Sequence, residues 1–417
     1  MNIWILNHYA VAPRTIGGTR HYDLASQLIK EGHRVRIFAS SFNHFERRET
    51  VTYKKENFID EIIDDVIFTW IKTPPYGNPF KRLINISVFS FRLNKIMKDV
   101  LKREIPDLII GSSVHPLTAL IGLKNSKKVE SLFYFEERDL WPQTFIDFGI
   151  ISEKNIVSKV LFSIEKKLYR ESDRVIFLFE KAHKYAISKG LYNKKPIYLP
   201  NGYNAERVSH LKESSELNGV LNTFENKKLC MYVGSFGEAN HLTPLIELVE
   251  KMKEEKEYHF LFVGGGALKA GLIDSSQKLD LQNITFLDPI PKEQIPFLLS
   301  HAHCGLISMK DSPLYNWGFS MNKIYDYLSL GLPIIAYSNL KDLGNLENTQ
   351  GIINSDSLDF LKEGITNASE IDREAIKNFA YDHYSWNILN EGFLKIVNSD
   401  IKSHKENSGV LNYEKNI

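Results

Sequence analysis

The chain of 417 residues is too long for a single core and points to two domains of roughly 200 residues each. Its hydrophobic fraction of 43% and charged fraction of 25% are those of a soluble globular protein. Two cysteines, Cys230 and Cys304, lie far apart in apolar runs, which excludes a disulfide framework and a zinc spacing and fits a reducing compartment.

The formal net charge of +1 conceals an asymmetry. Residues 1–200 carry 32 Lys and Arg against 22 Asp and Glu, and residues 201–417 carry 20 against 29. A basic first half suggests contact with an anionic surface. Its charges lack the tight clusters with interleaved aromatics of a strand-binding groove, so an anionic membrane is expected and nucleic acid is not. Met1–Leu6 is too short for a signal peptide, and no run approaches the ~20 apolar residues of a membrane span. A cytoplasmic protein, peripheral at the membrane, is expected.

In chain order, Asn2–Asn7 is an apolar run ending in His8-Tyr9 and reads as a buried first strand of a parallel sheet. A loop over residues 10–18 leads to a helix from Thr19 to about Glu31. Gly17 and Gly18 fall between strand and helix, where an open α/β sheet binds ligands and where glycine lets the backbone approach one. The pair equally suits turn chemistry alone. Arg14 and Arg20 flank it, free to reach a phosphate or to be solvated. Arg34–Ala39 is a second strand.

Phe80–Glu104 reads as one long helix rich in Lys and Arg, with a broad apolar face that includes Phe80, Leu83, Ile84 and Phe91. Such a helix lies on anionic lipid, or serves as a core helix with a charged outer face. Strands at 106–112 and 132–135 then deliver His115 and the Arg138-Asp139 pair to one sheet edge, where active-site groups gather. Strands over 174–179 and 195–199 close the first sheet, and the turn Pro200-Asn201-Gly202-Tyr203 marks the interdomain linker.

A second α/β pattern follows. Leu229–Val233 is a strand ending in Gly234-Ser235-Phe236-Gly237, and His259–Val263 one ending in Gly264-Gly265-Gly266. The glycine run permits close approach to a phosphate, but Lys269 at the third glycine position departs from the dinucleotide fingerprint. Strands at 284–287, 305–308 and 332–337 continue the sheet. Residues 371–398 read as a terminal helical segment whose part from about 380 packs back on the first domain. Residues 399–417 read as a mobile tail.

Between the last two strands lies the helix that organises the second half. Ser320 reads as its N-cap, Gly331 as the residue past its end and Pro333 as the stop. Met321, Ile324, Tyr325 and Leu328 form a core stripe, with Asn322 and Asp326 opposite and Lys323 beside them. Free N–H groups at the helix start and the Lys323 charge favour a phosphate; Asp326, one turn on, suits a pair of ribose hydroxyls. These describe a nucleotide site, or an ordinary surface helix.

Five stretches in this order extend the reading over almost the whole chain. They are Asn7-His8-Tyr9-Ala10, Gly18 to Ala25, Arg138-Asp139-Leu140-Trp141-Pro142, Gly237-Glu238-Ala239-Asn240, and Asn322-Lys323 with Asp326 and Gly331-Leu332-Pro333. Together they resemble the WbuB-like branch of the GT-B, family 4 glycosyltransferases of bacterial surface-polysaccharide synthesis. The resemblance implies an α/β fold of two doubly wound Rossmann-like domains facing across a cleft, with residues 1–200 binding the acceptor and 201–379 the nucleotide sugar. It implies a retaining transferase that moves a hexosyl or N-acetylhexosaminyl group from a UDP-linked donor to a lipid-linked or oligosaccharide acceptor of capsule or O-antigen.

Asp326 matches the second of the family's two acidic residues, which holds the donor ribose; Gly318 stands where the first is usual. The loop after Val233 also lacks the family's common basic pair, so the phosphate grip falls to Lys323, the helix N-terminus at Ser320 and, more weakly, Lys310. Gly17, Gly18, Gly234, Ser235, Gly264, Gly265 and Asn322 complete the expected donor site. His115, Arg138 and Asp139 are the expected catalytic groups, Asp139 orienting or deprotonating the acceptor hydroxyl and Arg138 steering anionic groups. Neither a cofactor nor a metal is expected. A sugar-nucleotide epimerase or hydrolase of related fold, and a non-catalytic nucleotide-sugar-binding subunit, are the competing readings.

Overall fold

The computed structural model describes residues 1–113, 115–147, 149, 151–191 and 196–407. Its first strand, β1 (Asn2–Leu6), shows how the apolar runs organise the fold. Ile3 and Ile5 enter one buried cluster and Trp4 and Leu6 another, the alternation of a strand covered on both faces. The same sheet takes in β2 (Arg34–Ser40), after which β3 (Phe42–Asn43) and β4 (Arg48–Glu49) form a small separate hairpin. It continues with β5 (Phe58–Ile63), β6 (Val66–Ile71), β7 (Leu108–Ser112) and β8 (Leu132–Glu137), and ends with β9 (Arg174–Phe177) and β10 (Ile197–Tyr198). Lys195, expected in the last strand, lies outside the described residues.

The eight strands run in the order β10-β9-β8-β7-β1-β2-β6-β5. All neighbours are parallel except the hairpin β5–β6, whose turn places Asp64 and Asp65 at positive φ, the geometry of a two-residue type I′ turn.

The second sheet comprises β11 (Lys228–Val233), β12 (Tyr258–Val263), β13 (Ile284–Leu287), β14 (Ala302–Ser308), β15 (Ile334–Tyr337) and β16 (Ile352–Ser355). Its order is β13-β12-β11-β14-β15-β16, all parallel. Along β11, Met231 and Val233 enter one core and Cys230 and Tyr232 the other. Cys230 and Cys304 are buried, unlinked neighbours in this sheet.

The helices that bear on function are α1 (Arg20–Lys30), α2 (Pro79–Val100), α3 (Pro116–Val129), α4 (Ile156–Glu171), α5 (Asn322–Ser329), α6 (Arg373–Tyr384) and α7 (Trp386–Asn407). α2 is capped by the Asn78 side chain, which accepts from the Lys81 N–H at 2.9 Å. It stops short of the expected Glu104, whose carboxylate is held by Arg36 and Arg34, both at 2.6 Å.

α7 corrects the expectation of a mobile tail from residue 399, because the helix continues to Asn407. Its polar residues conceal a docked face. Trp386, Phe393, Leu394 and Val397 enter a core of the first sheet, and the Asp400 carboxylate takes hydrogen bonds from Arg174 at 2.5 and 2.6 Å and from the Tyr134 hydroxyl at 2.6 Å. Residues 408–417 lie outside the described residues.

The chain thus crosses between the sheets twice, and the two crossings lie side by side. The Tyr203 N–H donates to the Tyr384 carbonyl at 3.1 Å, and the Trp386 N–H to the Tyr203 carbonyl at 3.0 Å. A Cβ on Gly202 would stand 2.5 Å from the Tyr384 carbonyl oxygen, so the pairing requires glycine there.

Candidate active site in the interdomain cleft

Loops that follow the strands of both sheets meet across a cleft, and Gly18 faces Asn322 across it. A Cβ on Gly18 would lie 2.7 Å from the Asn322 side-chain nitrogen. Gly17, at φ +138°, is hemmed in by Phe45 and Val11. On this side His8 and His115 are buried, with the His8 Nδ1 2.9 Å from the His115 Nε2 and the His8 ring stacked on Phe89. Burial, with Arg82 nearby, pushes the His115 pKa down to about 3, and burial holds His8 well below its ordinary value. His115 is therefore a neutral hydrogen-bonding group near pH 7, not a proton donor.

Arg138 and Asp139 follow β8. The Arg138 N–H donates to the Ser113 hydroxyl at 3.0 Å. Asp139 is open to solvent yet walled in by surrounding protein, which pushes its carboxyl pKa up while Arg138 draws it back. Just behind it Glu136 is buried and holds Arg20 at 2.8 Å and His21 at 2.7 Å. Burial alone would raise its pKa, but Arg20 and His21 keep it well below the usual carboxylate range. Arg20 also donates to the carbonyls of Leu199 at 2.8 Å and Pro200 at 2.5 Å. It is thus a buried tether of the interdomain crossing, neither solvated nor free to meet a phosphate.

On the opposite wall, α5 differs from its sequence reading at two residues. Ser320 is not the N-cap: the helix begins at Asn322 after Met321, with no side-chain cap. The Ser320 hydroxyl instead accepts from the Asn201 N–H at 2.8 Å and bonds the Tyr325 hydroxyl at 2.9 Å. It pins the crossing to the second domain. Lys323, expected on the outer face, is buried under the loop after β11. Its ammonium donates to the Tyr232 hydroxyl at 3.0 Å and the Asn240 side-chain carbonyl at 2.7 Å. Among the described residues no carboxylate pairs with it, and burial lowers its pKa to about 7.

The covering loop is narrow by necessity. A Cβ on Gly234 would stand 3.3 Å from the Lys323 Nζ, and one on Gly264 only 1.8 Å from the Gly234 carbonyl oxygen. Gly264 therefore serves the packing of one loop on the other, while the Gly265 position abuts Pro289. Ser235 and Lys310 are exposed on loops after β11 and β14. Asp326 accepts from Lys292 at 2.6 and 2.5 Å through both carboxylate oxygens, a pair mostly hidden from water.

Tyr232 and Lys292 were not among the residues singled out for the donor site, whereas Asn240 ends one of the quoted motifs, in the loop that stands in place of the family's basic pair. Tyr232 reads as one more core position of an alternating strand, and nothing local marks its hydroxyl as reaching α5. The Tyr232 hydroxyl and the Asn240 amide also donate to the Ser235 carbonyl, at 2.7 and 3.0 Å, so the loop and the lysine are held by one network.

Two family descriptions match the chain in succession, Glycosyltransferase Family 4 over residues 17–207 and Glycosyl transferases group 1 over residues 213–402. The Escherichia coli K12 protein assigned to colanic acid biosynthesis as the glycosyl transferase WcaI is 23% identical over 302 residues, 69% of this chain and 72% of that one. Among solved structures, sucrose-phosphate synthase of Thermosynechococcus elongatus superposes with a TM-score of 0.71 at 16% identity, covering 96% of this chain and 99% of that one. HepE of Anabaena, in complex with UDP-glucose, gives 0.64 at 13% identity, covering 96% and 100%. These similarities establish two Rossmann-like domains in the GT-B arrangement.

Proposed function

The chain belongs to the GT-B, family 4 glycosyltransferases, and on that premise we propose that it transfers a hexosyl or N-acetylhexosaminyl group from a UDP-linked donor, with retention, to a lipid-linked or oligosaccharide acceptor of a bacterial surface polysaccharide. The observation that carries the reading is Lys323, a buried ammonium with no carboxylate partner among the described residues, beneath the Gly234 loop. An uncompensated buried cation is costly unless a ligand supplies the missing charge. A diphosphate held at the start of α5 would supply it, and the ammonium would then stabilise the leaving group as the sugar departs. That protein cation supports a metal-independent reaction.

The Lys292–Asp326 pair, one turn along, suits the ribose, since a carboxylate that accepts from one lysine keeps further lone pairs for hydroxyls. His115 and Asp139 lie on the other wall, as neutral hydrogen-bonding group and acceptor-orienting carboxylate. HepE in complex with UDP-glucose and WcaI of colanic acid biosynthesis support this donor and acceptor class.

Association with an anionic membrane is part of the proposal. α2 buries Phe89, Leu93, Ile96, Met97 and Val100 in the core but leaves Phe80, Leu83, Ile84 and Phe91 exposed beside Lys81 and Lys95. Ile156, Val157 and Val160 at the start of α4 are exposed as well. No described helix is long and apolar enough to cross a membrane.

Calorimetric titration with UDP and UDP-sugars, followed by NMR of the product's anomeric coupling, tests the reading. Failure of UDP to bind would overturn the donor, and an inverted linkage would overturn retention. Activity lost in EDTA and restored by Mg²⁺ or Mn²⁺ would overturn metal independence.

A further inference from the structure

A cavity of about 580 Å³ lies beside the interdomain crossing and contains none of the groups assigned above to the donor phosphates or ribose. It is bounded by the loops after β9, β14 and β15, so both domains contribute to its wall. Its volume and interdomain place are those of a small-molecule site. It opens on the flank of α5 away from Lys323. At 3.6 residues per turn, positions 323 and 325 diverge by roughly 200°; Lys323 points beneath the Gly234 loop while Tyr325 forms part of the cavity wall.

The wall combines rings and unpartnered polar groups. Tyr315 and Phe319 come from the second domain and Tyr198 from the first. Aromatic faces are electronegative and take the C–H face of a sugar ring. Among the described residues, the side chains of Asp311, Asn316 and Asn339 have no hydrogen-bond partner. Among the described residues the Glu180 carboxylate accepts from the Asn345 N–H alone, at 3.2 Å. Both donors and acceptors therefore remain for a ligand.

The charges narrow its class. Glu180 and Asp311 oppose an anion such as a phosphate, Lys341 in the same wall opposes a cation, and Lys181 is already paired with Asp342. Vicinal hydroxyls, each donating to a carboxylate and accepting from an amide, fit what is left. Gly318 lets the two domains close together at this wall. It sits at φ +100° with the Glu180 N–H nitrogen 3.2 Å from where its Cβ would be, so the Glu180 backbone packs against a position without a side chain.

We propose that this cavity binds a neutral sugar ring of the acceptor, separate from the sugar carried by the nucleotide. The assignment to the acceptor rests on the transferase reading; the binding of a neutral sugar ring does not. Saturation-transfer NMR on the full chain tests it, with the methyl glycosides of glucose, galactose, mannose and N-acetylglucosamine as probes and saturating UDP present. Transfer to the ring protons of at least one glycoside is expected. It should persist when UDP-glucose or UDP-N-acetylglucosamine replaces UDP, and fall at least about fivefold in Asn316→Ala and in Tyr315→Ala, the loss of about one hydrogen bond or ring contact. Asn316 is exposed, so its variant is expected to fold even if the tyrosine variant does not. No transfer to any glycoside, or transfer undiminished in Asn316→Ala, would overturn the cavity. Displacement by the UDP-sugars but not by UDP would overturn the acceptor and identify the donor's own sugar. Because UDP binding is read separately, failure of the nucleotide site would be seen as such.

Discussion

The Lys323 ammonium is fixed 2.7 Å from the Asn240 side-chain carbonyl, and the amide of that same asparagine holds the Ser235 carbonyl at 3.0 Å. One side chain thus sets both the cation and the loop that covers it. Replacing Lys323 with Met is expected to leave the fold intact and weaken UDP binding about ten- to a hundredfold, as charge-assisted hydrogen bonds of ~1.5–3 kcal/mol are lost. Burial has lowered the pKa of this group from 10.5 to about 7, while the unfolded chain keeps its proton up to the ordinary value. Its contribution to stability therefore rises with pH between those two values. A bound diphosphate favours the charged form, so UDP affinity should fall as pH rises through about 7. Calorimetry at about pH 6 and about pH 8.5 checks this; an equal decline in Lys323→Met would remove the lysine from the explanation.

Asp326→Ala is expected to lower UDP affinity at least about tenfold, whereas Lys292→Ala, which frees the carboxylate, should change it less than about threefold. Equal losses in the two variants would show that the ion pair as a unit, not the Asp326 carboxylate, matters.

Behind the cleft, Glu165 accepts from the Tyr185 hydroxyl at 3.0 Å and the Tyr169 hydroxyl at 3.3 Å, and Tyr169 also donates to the buried Glu137. Burial pushes the Glu165 pKa up to about 8. Its proton is held in the folded state and released in the unfolded state above the ordinary value of 4.5, so this contribution is lost as pH rises from there through about 8. Glu165→Gln removes that dependence. Urea unfolding should show the variant close to the parent at about pH 5 and more stable by over ~1 kcal/mol at about pH 9. A constant difference across this range would refute the buried acid.

Gly264→Ala places a methyl group 1.8 Å from the Gly234 carbonyl oxygen, on backbone that cannot move aside cheaply. A loss of stability above ~2 kcal/mol is expected, together with loss of UDP binding. Gly265→Ala meets only the edge of Pro289 at 3.0 Å and should cost less than ~1 kcal/mol. Thermal and urea unfolding of the two variants distinguish them.

Phe80 and Phe91 are 71% and 74% exposed. If α2 meets a bilayer, replacing both with Ser should reduce co-sedimentation with anionic vesicles at least about tenfold, since each buried Phe contributes ~1.5–3 kcal/mol. Added salt should reduce binding of the parent chain. Vesicles that bind the variant as well as the parent would exclude this face.

The doubly wound architecture was legible because β1, β2, β7, β8, β11 and β12 are near-continuous apolar runs, as sheets covered on both faces demand. The β5–β6 hairpin was not, because Asp60, Glu61 and Asp64-Asp65 give it the look of a polar loop, although the outer strand of a sheet tolerates such residues. Ser320 stands where a cap would stand, but its hydroxyl is taken by the Asn201 N–H, 119 residues away in sequence. The burial of Lys323 depends on a glycine loop folding over it, and sequence periodicity places a residue on its helix without showing what covers that face. Residues 399–407 looked disordered for a similar reason: the partners of Asp400 are Tyr134 and Arg174.

The return of α7 to the first sheet also has a consequence for synthesis. Trp386, Phe393, Leu394 and Val397 complete a core whose other members, from Ile3 to Leu199, were made about two to four hundred residues earlier. Domains made first ordinarily fold first. Here the first-made half leaves the ribosome with one flank uncovered, and the second half must be translated through before the first can close. Release of residues 1–207 alone should therefore yield an aggregation-prone species, rescued by supplying the second half of the chain within the same polypeptide.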